Sequence, residues 1–108
     1  MPPTLPQCIA DYFAGANKHD IDATLATFGE NALVTDEGEQ HSGIAAIREW
    51  IEDTTAKYRP AFVVKSVSER AGNTIVLALV SGTFPGSPIE IGYEFTIKNE
   101  KIAGVEIR

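Results

Sequence analysis

Apolar side chains recur at helical spacing near the start of the chain and predict a first helix. Five of them share one face, which directs both aromatic rings inward: Leu5, Ile9, Tyr12, Phe13 and Ala16. Thr4 and Gln7 fit a capping box, with Pro6 in the first turn, where its missing N–H does no harm. We therefore expect a helix that begins at this box and ends near Lys18.

A second, shorter apolar repeat follows. Asp20 is suited to cap it, because the side-chain oxygen of an aspartate accepts a backbone N–H of the first helical turn. Ile21, Leu25 and Phe28 then recur at intervals of four and three residues, and Gly29 is a natural C-terminal stop. The repeat predicts a short helix that includes Phe28.

The next segment changes to alternation. Residues 32–36 are β-prone in the middle and predict a strand, on which Val34 and Asp36 share one face. Residues 37–41 are polar and predict a turn. Ser42 can cap a third helix, which carries an apolar stripe at Ile44, Ile47 and Ile51 and should end near residue 57, because Pro60 disfavours the helical conformation for the residue before it.

Beyond Pro60 the pattern has a period of two. It predicts four strands in a meander, at residues 62–69, 74–84, 89–98 and 102–107. The second strand is so apolar that both of its faces need cover, which favours a homodimer formed through the sheet face away from the helices. Helices segregated from a run of antiparallel strands indicate an α+β domain with the helices packed on one face of the sheet.

The totals limit the functional classes. At 108 residues, the chain is expected to form one domain over residues 1–108. Nine basic against fifteen acidic residues give a net charge of −6, which opposes binding to nucleic acid or to an anionic membrane. Two distant histidines and one cysteine do not supply the ligands of a zinc site, and neither a phosphate-binding loop nor a dinucleotide fingerprint occurs. We expect no metal and no cofactor.

The first residues lack both a basic region and an uninterrupted apolar stretch, so they do not indicate a secretory signal. No apolar run approaches the roughly 20 residues that a membrane span needs. The default expectation is a cytoplasmic protein.

Three patterned segments carry a resemblance: YFAGANKHDIDA at 12–23, FGENALVTDEG at 28–38 and SGIAAIREW at 42–50. With the long strands that follow, they resemble the nuclear transport factor 2-like superfamily, and within it the SnoaL-like and ketosteroid-isomerase-like branch. The resemblance covers essentially the whole chain. It implies a cone-shaped, curved antiparallel sheet (a cystatin-like arrangement) packed on three N-terminal helices, with an apolar small-molecule pocket at its mouth.

The resemblance also implies roles for particular residues. Ketosteroid isomerases of this shape use a tyrosine of the first helix as oxyanion donor and an aspartate after the first strand as proton-shuttling base. Tyr12 and Asp36 occupy the similar positions here. Where those enzymes place a neutral carboxylic acid on the penultimate strand, the nearest match is Tyr93. The resemblance thus implies a cofactor-free proton transfer on a carbonyl compound, of the isomerase or cyclase type.

Each candidate also has a structural interpretation. Asp36 before Glu37 and Gly38 is a common turn-former, and inward tyrosines such as Tyr12 and Tyr93 are often core residues. The expected pocket wall comprises Phe13, Phe28, Val34, His41, Trp50 and Phe95. Two functions stay open: an enzyme with Asp36 as the base, and a non-catalytic ligand-binding or dimerisation module.

Overall fold

The structure is a computed structural model that describes residues 4–108, and it contains three helices and a single sheet within that range. The helices are α1 Gln7–Asn17, α2 Ile21–Leu25 and α3 Gly43–Tyr58. The strands are β1 Phe28–Asp36, β2 Glu39–Ser42, β3 Ala61–Arg70, β4 Asn73–Ser81, β5 Ile89–Lys98 and β6 Lys101–Ile107. None of the helices within residues 4–108 combines the length and apolar character needed to cross a membrane.

The six strands form one curved open sheet in the order β2-β1-β6-β5-β4-β3. The predicted meander from β3 to β6 is antiparallel throughout, whereas β1 lies parallel to β6. The helices pack against one face, and the core between the layers includes Ile9, Ile47, Val76, Phe95 and Ile102. The predicted α+β fold class is confirmed, with one parallel pair inside an otherwise antiparallel sheet.

The predicted capping box at the start of α1 is wrong. The helix begins at Gln7 after Pro6, whose ψ of 146° is not helical, and no side chain caps it. A proline disfavours the helical conformation for the residue before it, so Leu5 cannot continue a helix that starts at Thr4. The Pro6 carbonyl instead accepts the first helical hydrogen bonds, from the N–H groups of Ile9 and Ala10, both at 3.0 Å.

The second helix and the first strand meet earlier than the sequence predicts. Asp20 caps α2 as expected, accepting from the Ala23 N–H at 3.1 Å. The helix ends at Leu25, and Phe28 opens β1, where it pairs with Ile102 of β6. The helical spacing of Phe28 was therefore misleading: the same buried ring reaches the core from a strand.

The polar segment after Asp36, predicted as a turn, contains the short edge strand β2. Its residues are mostly exposed, so no apolar alternation reveals it in the sequence. A hairpin through Glu37 and Gly38, both at positive φ, pairs β2 with β1 from Asp36↔Glu39 to Leu33↔Ser42.

The third helix follows its prediction closely, although Ser42 occupies the N-cap without a side-chain hydrogen bond. After α3, Arg59 adopts the left-handed conformation with φ 46° and turns the chain into β3. Residues beyond β4 are tied to this end of the helix, because the Thr83 N–H donates to the Tyr58 carbonyl at 2.8 Å. The fourth strand consequently ends at Ser81 rather than at residue 84.

Candidate active site

The register of the sheet brings Asp36 and Tyr93 into one row. Asp36 pairs with Ile107 across the parallel strands β1 and β6, and Ile107 pairs with Tyr93 across the antiparallel strands β6 and β5. Paired residues on neighbouring strands point to the same face of a sheet, so all three side chains face the helices. Two strand spacings separate the backbones of Asp36 and Tyr93 by about 10 Å.

Tyr12 approaches the same region from α1. Its ring is 4% exposed and makes edge contacts with Phe28 and Phe95, with centroids 5.8 Å apart in both cases. The Tyr93 ring is equally buried, and Phe13 packs edge-on against it at 5.4 Å. Aromatic edge contacts of this kind hold both rings in place but do not provide hydrogen bonds for their hydroxyl groups.

Tyr12, Asp36, Trp50 and Tyr93 line one cavity of about 370 Å³. That volume lies within the range of small-molecule pockets, roughly 300–1,000 Å³. Most of the other lining side chains are apolar or aromatic; they include Tyr58, Phe62, Val80, Phe84, Ile91 and Ile107. The geometry thus combines an apolar wall with two carboxylates, Asp36 and Glu37, and with the buried phenols of Tyr12 and Tyr93.

The two phenol hydroxyls are available to a ligand. Within residues 4–108, neither Tyr12 nor Tyr93 forms a side-chain hydrogen bond to the protein, yet no completely buried side-chain N or O atom lacks a partner there. Both hydroxyls are therefore in contact with the cavity space. Each can act as a donor to an oxygen atom placed between them.

Burial keeps these hydroxyls protonated. Loss of solvent raises the pKa of Tyr12 well above its usual value, and the negative charge of Asp36 raises it further. Burial also raises the pKa of Tyr93, with smaller contributions from Tyr12 and Asp36. The charge of Asp36 thus acts in the same direction as burial on both phenols.

Asp36 is held by the only tryptophan of the chain. The Trp50 indole N–H donates to Asp36 Oδ2 at 3.1 Å, from α3 to the end of β1. Asp36 is only partly buried, and within the described residues its Oδ1 has no protein donor. The carboxylate is thus fixed at one oxygen, while the other remains available to take a proton.

A second concavity adjoins the cavity and shares five lining residues with it: Asp36, Glu37, Trp50, Thr54 and Tyr58. We call this concavity the acidic groove, because its lining also includes Glu39, Glu49 and Asp53. Its volume is about 490 Å³, and it is lined by His41, whose ring lies 6.0 Å from that of Trp50. His41 belongs to β2 and is half-buried, so it lines the groove next to the cavity rather than the cavity itself.

The predicted wall residues divide into three groups. Trp50 lines the cavity and His41 lines the adjoining groove, whereas four others are buried in the core and are not among the lining residues of the cavity: Phe13, Phe28, Val34 and Phe95. Sequence reasoning did not include Tyr58, Phe84 or Ile91. Ile91 could have been found, since it precedes Tyr93 by two residues on the same strand face. Tyr58 and Phe84 could not, because their positions depend on how α3 meets the segment after β4.

No group of three or more His, Cys, Asp or Glu side chains within residues 4–108 is arranged to hold a metal ion.

Solved structures define the class of this fold. A protein of unknown function with an NTF2-like fold from Cytophaga hutchinsonii superposes with a TM-score of 0.80 at 13% identity, covering 100% of this chain and 91% of that one. A protein with a ketosteroid-isomerase-like fold from Catenulispora acidiphila, in complex with trimethylamine, gives 0.83 at 16% identity, covering 97% and 86%. The fold is NTF2-like.

The SnoaL-like domain family matches residues 9–105, and the chain belongs to this family. A "putative polyketide cyclase" from Sinorhizobium meliloti is 36% identical, with a TM-score of 0.91 over 96% of this chain and 95% of that one. Curated protein sequences include no match to this chain.

Proposed function

We propose that this SnoaL-like domain binds an apolar carbonyl compound in the 370 Å³ cavity and transfers a proton on it, as an isomerase or a cyclase does. Asp36 is the base, and Tyr12 and Tyr93 are the hydrogen-bond donors to the carbonyl oxygen. One observation carries the proposal: these three groups, far apart in the sequence, line one cavity with both hydroxyls free of protein partners. The 36% identity to the Sinorhizobium meliloti protein named a "putative polyketide cyclase" supports the same class of chemistry.

The steps balance without a cofactor. Asp36 Oδ1 takes a proton from the carbon next to the carbonyl, and the electrons of the broken C–H bond form an enolate. The negative charge gathers on the carbonyl oxygen, where the hydroxyls of Tyr12 and Tyr93 stabilise it by hydrogen bonds. In an isomerisation the enolate is conjugated with a C=C bond, and Asp36 returns the proton to the far carbon of that dienolate. In a cyclisation the enolate carbon attacks a second carbonyl of the same ligand, and Asp36 returns the proton to the alkoxide oxygen that forms.

Deuterium exchange tests the proposal directly. The probe is 4-tert-butylacetophenone in D₂O, and the loss of its acetyl methyl signal in the proton NMR spectrum measures enolate formation. We expect the protein to accelerate exchange and the Asp36→Asn variant to lose about 10²-fold or more of that acceleration, the usual contribution of a positioned base. Asp11→Asn, an exposed aspartate of α1 outside the cavity, is the matched control.

Equal exchange in Asp36→Asn and the unsubstituted protein would refute the role of the base. Absence of any acceleration with this ketone would count against proton transfer and in favour of the second function below.

One observation favours a non-catalytic ligand-binding module. The face of β5 that points to the helices carries Tyr93 and Phe95, whereas the carboxylates of this strand lie on the opposite face. Glu94 lies on the outer face, where Asn73 donates to it at 2.9 Å and Arg70 at 3.1 Å. No carboxylic acid of β5 therefore reaches the cavity to act as a hydrogen-bond donor beside the tyrosines. Under this alternative the protein binds the ketone and exchanges no protons.

We also propose that a second copy of the chain covers the outer face of the sheet. Ile75, Leu77 and Leu79 alternate with the buried residues of β4 and are only half-buried, while Val63 beside Leu79 is 56% exposed. Apolar side chains grouped on an uncovered sheet face are typical of protein interfaces. A homodimer formed there leaves the cavity, on the opposite face, open to ligand.

A further inference from the structure

The cavity is built as an aromatic enclosure with negative charge and no positive charge of its own. Six aromatic side chains line it: Tyr12, Trp50, Tyr58, Phe62, Phe84 and Tyr93. Asp36 and Glu37 are its only charged lining residues within the described part of the chain. Aromatic faces carry negative electrostatic potential, and rings grouped around a cavity are a recurrent means of binding ammonium groups.

The adjoining acidic groove extends the same electrostatic character outward. Beyond Asp36 and Glu37, it is lined by the carboxylates of Glu39, Glu49 and Asp53. Lys57 is the one lysine or arginine among its described lining residues. The Lys57 ammonium already lies over the Tyr58 ring, 5.2 Å from its centroid. The five carboxylates outnumber this single ammonium, so the charge of the groove favours a cation over an anion at the entrance to the cavity.

The inner end of the cavity has a different polarity. There the hydroxyls of Tyr12 and Tyr93, on rings that are 96% buried, lack protein partners and are open to the cavity. Their raised pKa values keep them as neutral donors suited to an acceptor oxygen. A ligand that satisfies both ends carries a carbonyl oxygen at one end and a positive charge at the other.

We propose that the ligand of this cavity is a cationic carbonyl compound, with an alkylated or protonated amine held by the aromatic rings and by Glu37 where cavity and groove meet. This inference rests on the proposed function for the cavity and for the carbonyl group of the ligand, and it replaces an uncharged outer end of that ligand by a positively charged one. When the amine lies next to Glu37, the Asp36 carboxylate remains free to take a proton from the carbon next to the carbonyl. A negatively charged ligand is excluded from this position by the carboxylates of the groove.

A set of isosteric ketones tests the charge preference. The (4-acetylphenyl)trimethylammonium ion and 4-tert-butylacetophenone differ only in nitrogen against carbon at the branched end, and 4-acetylbenzoate supplies the negative charge. Dissociation constants come from ligand-observed NMR titrations at low salt. We expect the cation to bind about tenfold or more tightly than the neutral ketone, and the benzoate to bind most weakly. The advantage of the cation should shrink at about 1 M salt, where charges are screened within about 3 Å.

Three variants locate the effect. Glu37→Gln should weaken binding of the cation by about threefold or more, and Lys57→Gln should strengthen it by a similar factor, because each substitution removes one charge close to the proposed position of the amine. Neither substitution should change the affinity for the neutral ketone, whose binding also shows that the variants are folded. Glu30→Gln removes an exposed carboxylate at the opposite end of β1 and serves as the matched control, with no effect on any probe.

Binding of the neutral ketone as tightly as the cation, or no binding of the cation at all, would overturn the proposal. The exchange experiment separates it from the proposed function. Asp36-dependent exchange of 4-tert-butylacetophenone without any charge preference would leave the proton transfer standing and refute the cationic ligand. Preferential binding of the cation without exchange of either ketone would support the cationic ligand and count against the proton transfer.

Discussion

The Trp50 indole N–H and the Asp36 carboxylate form a 3.1 Å hydrogen bond that joins α3 to the end of β1. Both side chains line the cavity, so the bond fixes the proposed base at the position where a ligand would meet it. A carboxylate that rotates freely would spend less time in the geometry that proton transfer needs.

Trp50→Phe removes this donor and keeps an aromatic wall. We expect kcat for ketone exchange to fall about tenfold, since orientation of a catalytic group contributes rate through geometry, while the affinity for 4-tert-butylacetophenone changes little. Exchange rates and NMR titrations on the same samples separate the two quantities. A loss of affinity with unchanged kcat would show that Trp50 only forms part of the cavity wall and does not orient Asp36 for proton transfer.

The hydroxyls of Tyr12 and Tyr93 should matter for rate and not for stability. Tyr12→Phe and Tyr93→Phe each remove a donor to the developing enolate, and the loss of one such donor costs about 10²-fold in rate. Neither hydroxyl bonds to a protein group within the described residues, so the free energy of unfolding should stay within about 1 kcal/mol. Deuterium exchange and urea denaturation of each variant are the measurements. A strongly destabilised variant would indicate a structural hydrogen bond instead.

Alkaline pH should destabilise the protein through the same two phenols. Their pKa values are raised in the folded state, so the unfolded chain releases their protons first, near pH 10 for a free tyrosine. The free energy of unfolding is therefore unaffected by these groups below that pH and falls as the pH rises above about 10. Urea denaturation across this range measures the slope. The double variant Tyr12→Phe/Tyr93→Phe should show a shallower slope, and an identical slope would contradict the assignment.

Gly15 sits where α1 and α2 meet, and it has no room for a side chain. A Cβ atom there would lie 2.7 Å from Thr24 Oγ1 and 3.0 Å from the Thr24 backbone nitrogen. Gly15→Ala should therefore destabilise the fold by about 1–3 kcal/mol, as overpacking in a closed site does. Gly92→Ala is the control, because nothing lies within 4 Å of a Cβ on that strand residue. Equal unfolding midpoints for the two variants would refute the close packing.

The outer face of the sheet provides a test of the homodimer. Leu77→Glu places a charge at the centre of the half-buried apolar row on β4, where it would lose its hydration in an interface. We expect sedimentation at micromolar concentration to show a dimer for the unsubstituted protein and a monomer for this variant. Ala45→Glu, an exposed position of α3, should leave the dimer intact. A monomeric unsubstituted protein would refute the interface.

The local sequence pattern predicted the structure correctly for elements that bury only one face. The stripe of α3 and the alternation of β5 each report a single buried face, so the sequence predicted both elements and the inward direction of Tyr93. It failed at Phe28, whose spacing fits a helix, and at β2, whose exposed side chains carry no alternation. In both places the sheet decides the structure, because backbone pairing with a distant or adjacent strand supplies what side-chain pattern does not.

The candidate site shows the same division. Motif resemblance was enough to select Asp36, Tyr12 and Tyr93, because each lies inside a recognisable segment or at a matching strand position. The predicted pocket wall also included Phe13 and Phe95, which the structure buries in the core and does not place among the residues that line the cavity. A sequence indicates which side chains point inward, but only packing determines which of them border empty space.

By itself, the sequence determined the class of fold and the inward faces of α1, α3 and β5, and it supplied three candidate residues for the proposed mechanism. The tertiary structure alone decided that β1 runs beside β6, and thereby that Asp36 and Tyr93 flank Ile107 in one row. It also decided that aromatic rings and carboxylates from separate elements surround one cavity. The physical reason is that helical and strand periodicities are local, whereas strand pairing and cavity shape arise from contacts between segments far apart along the chain.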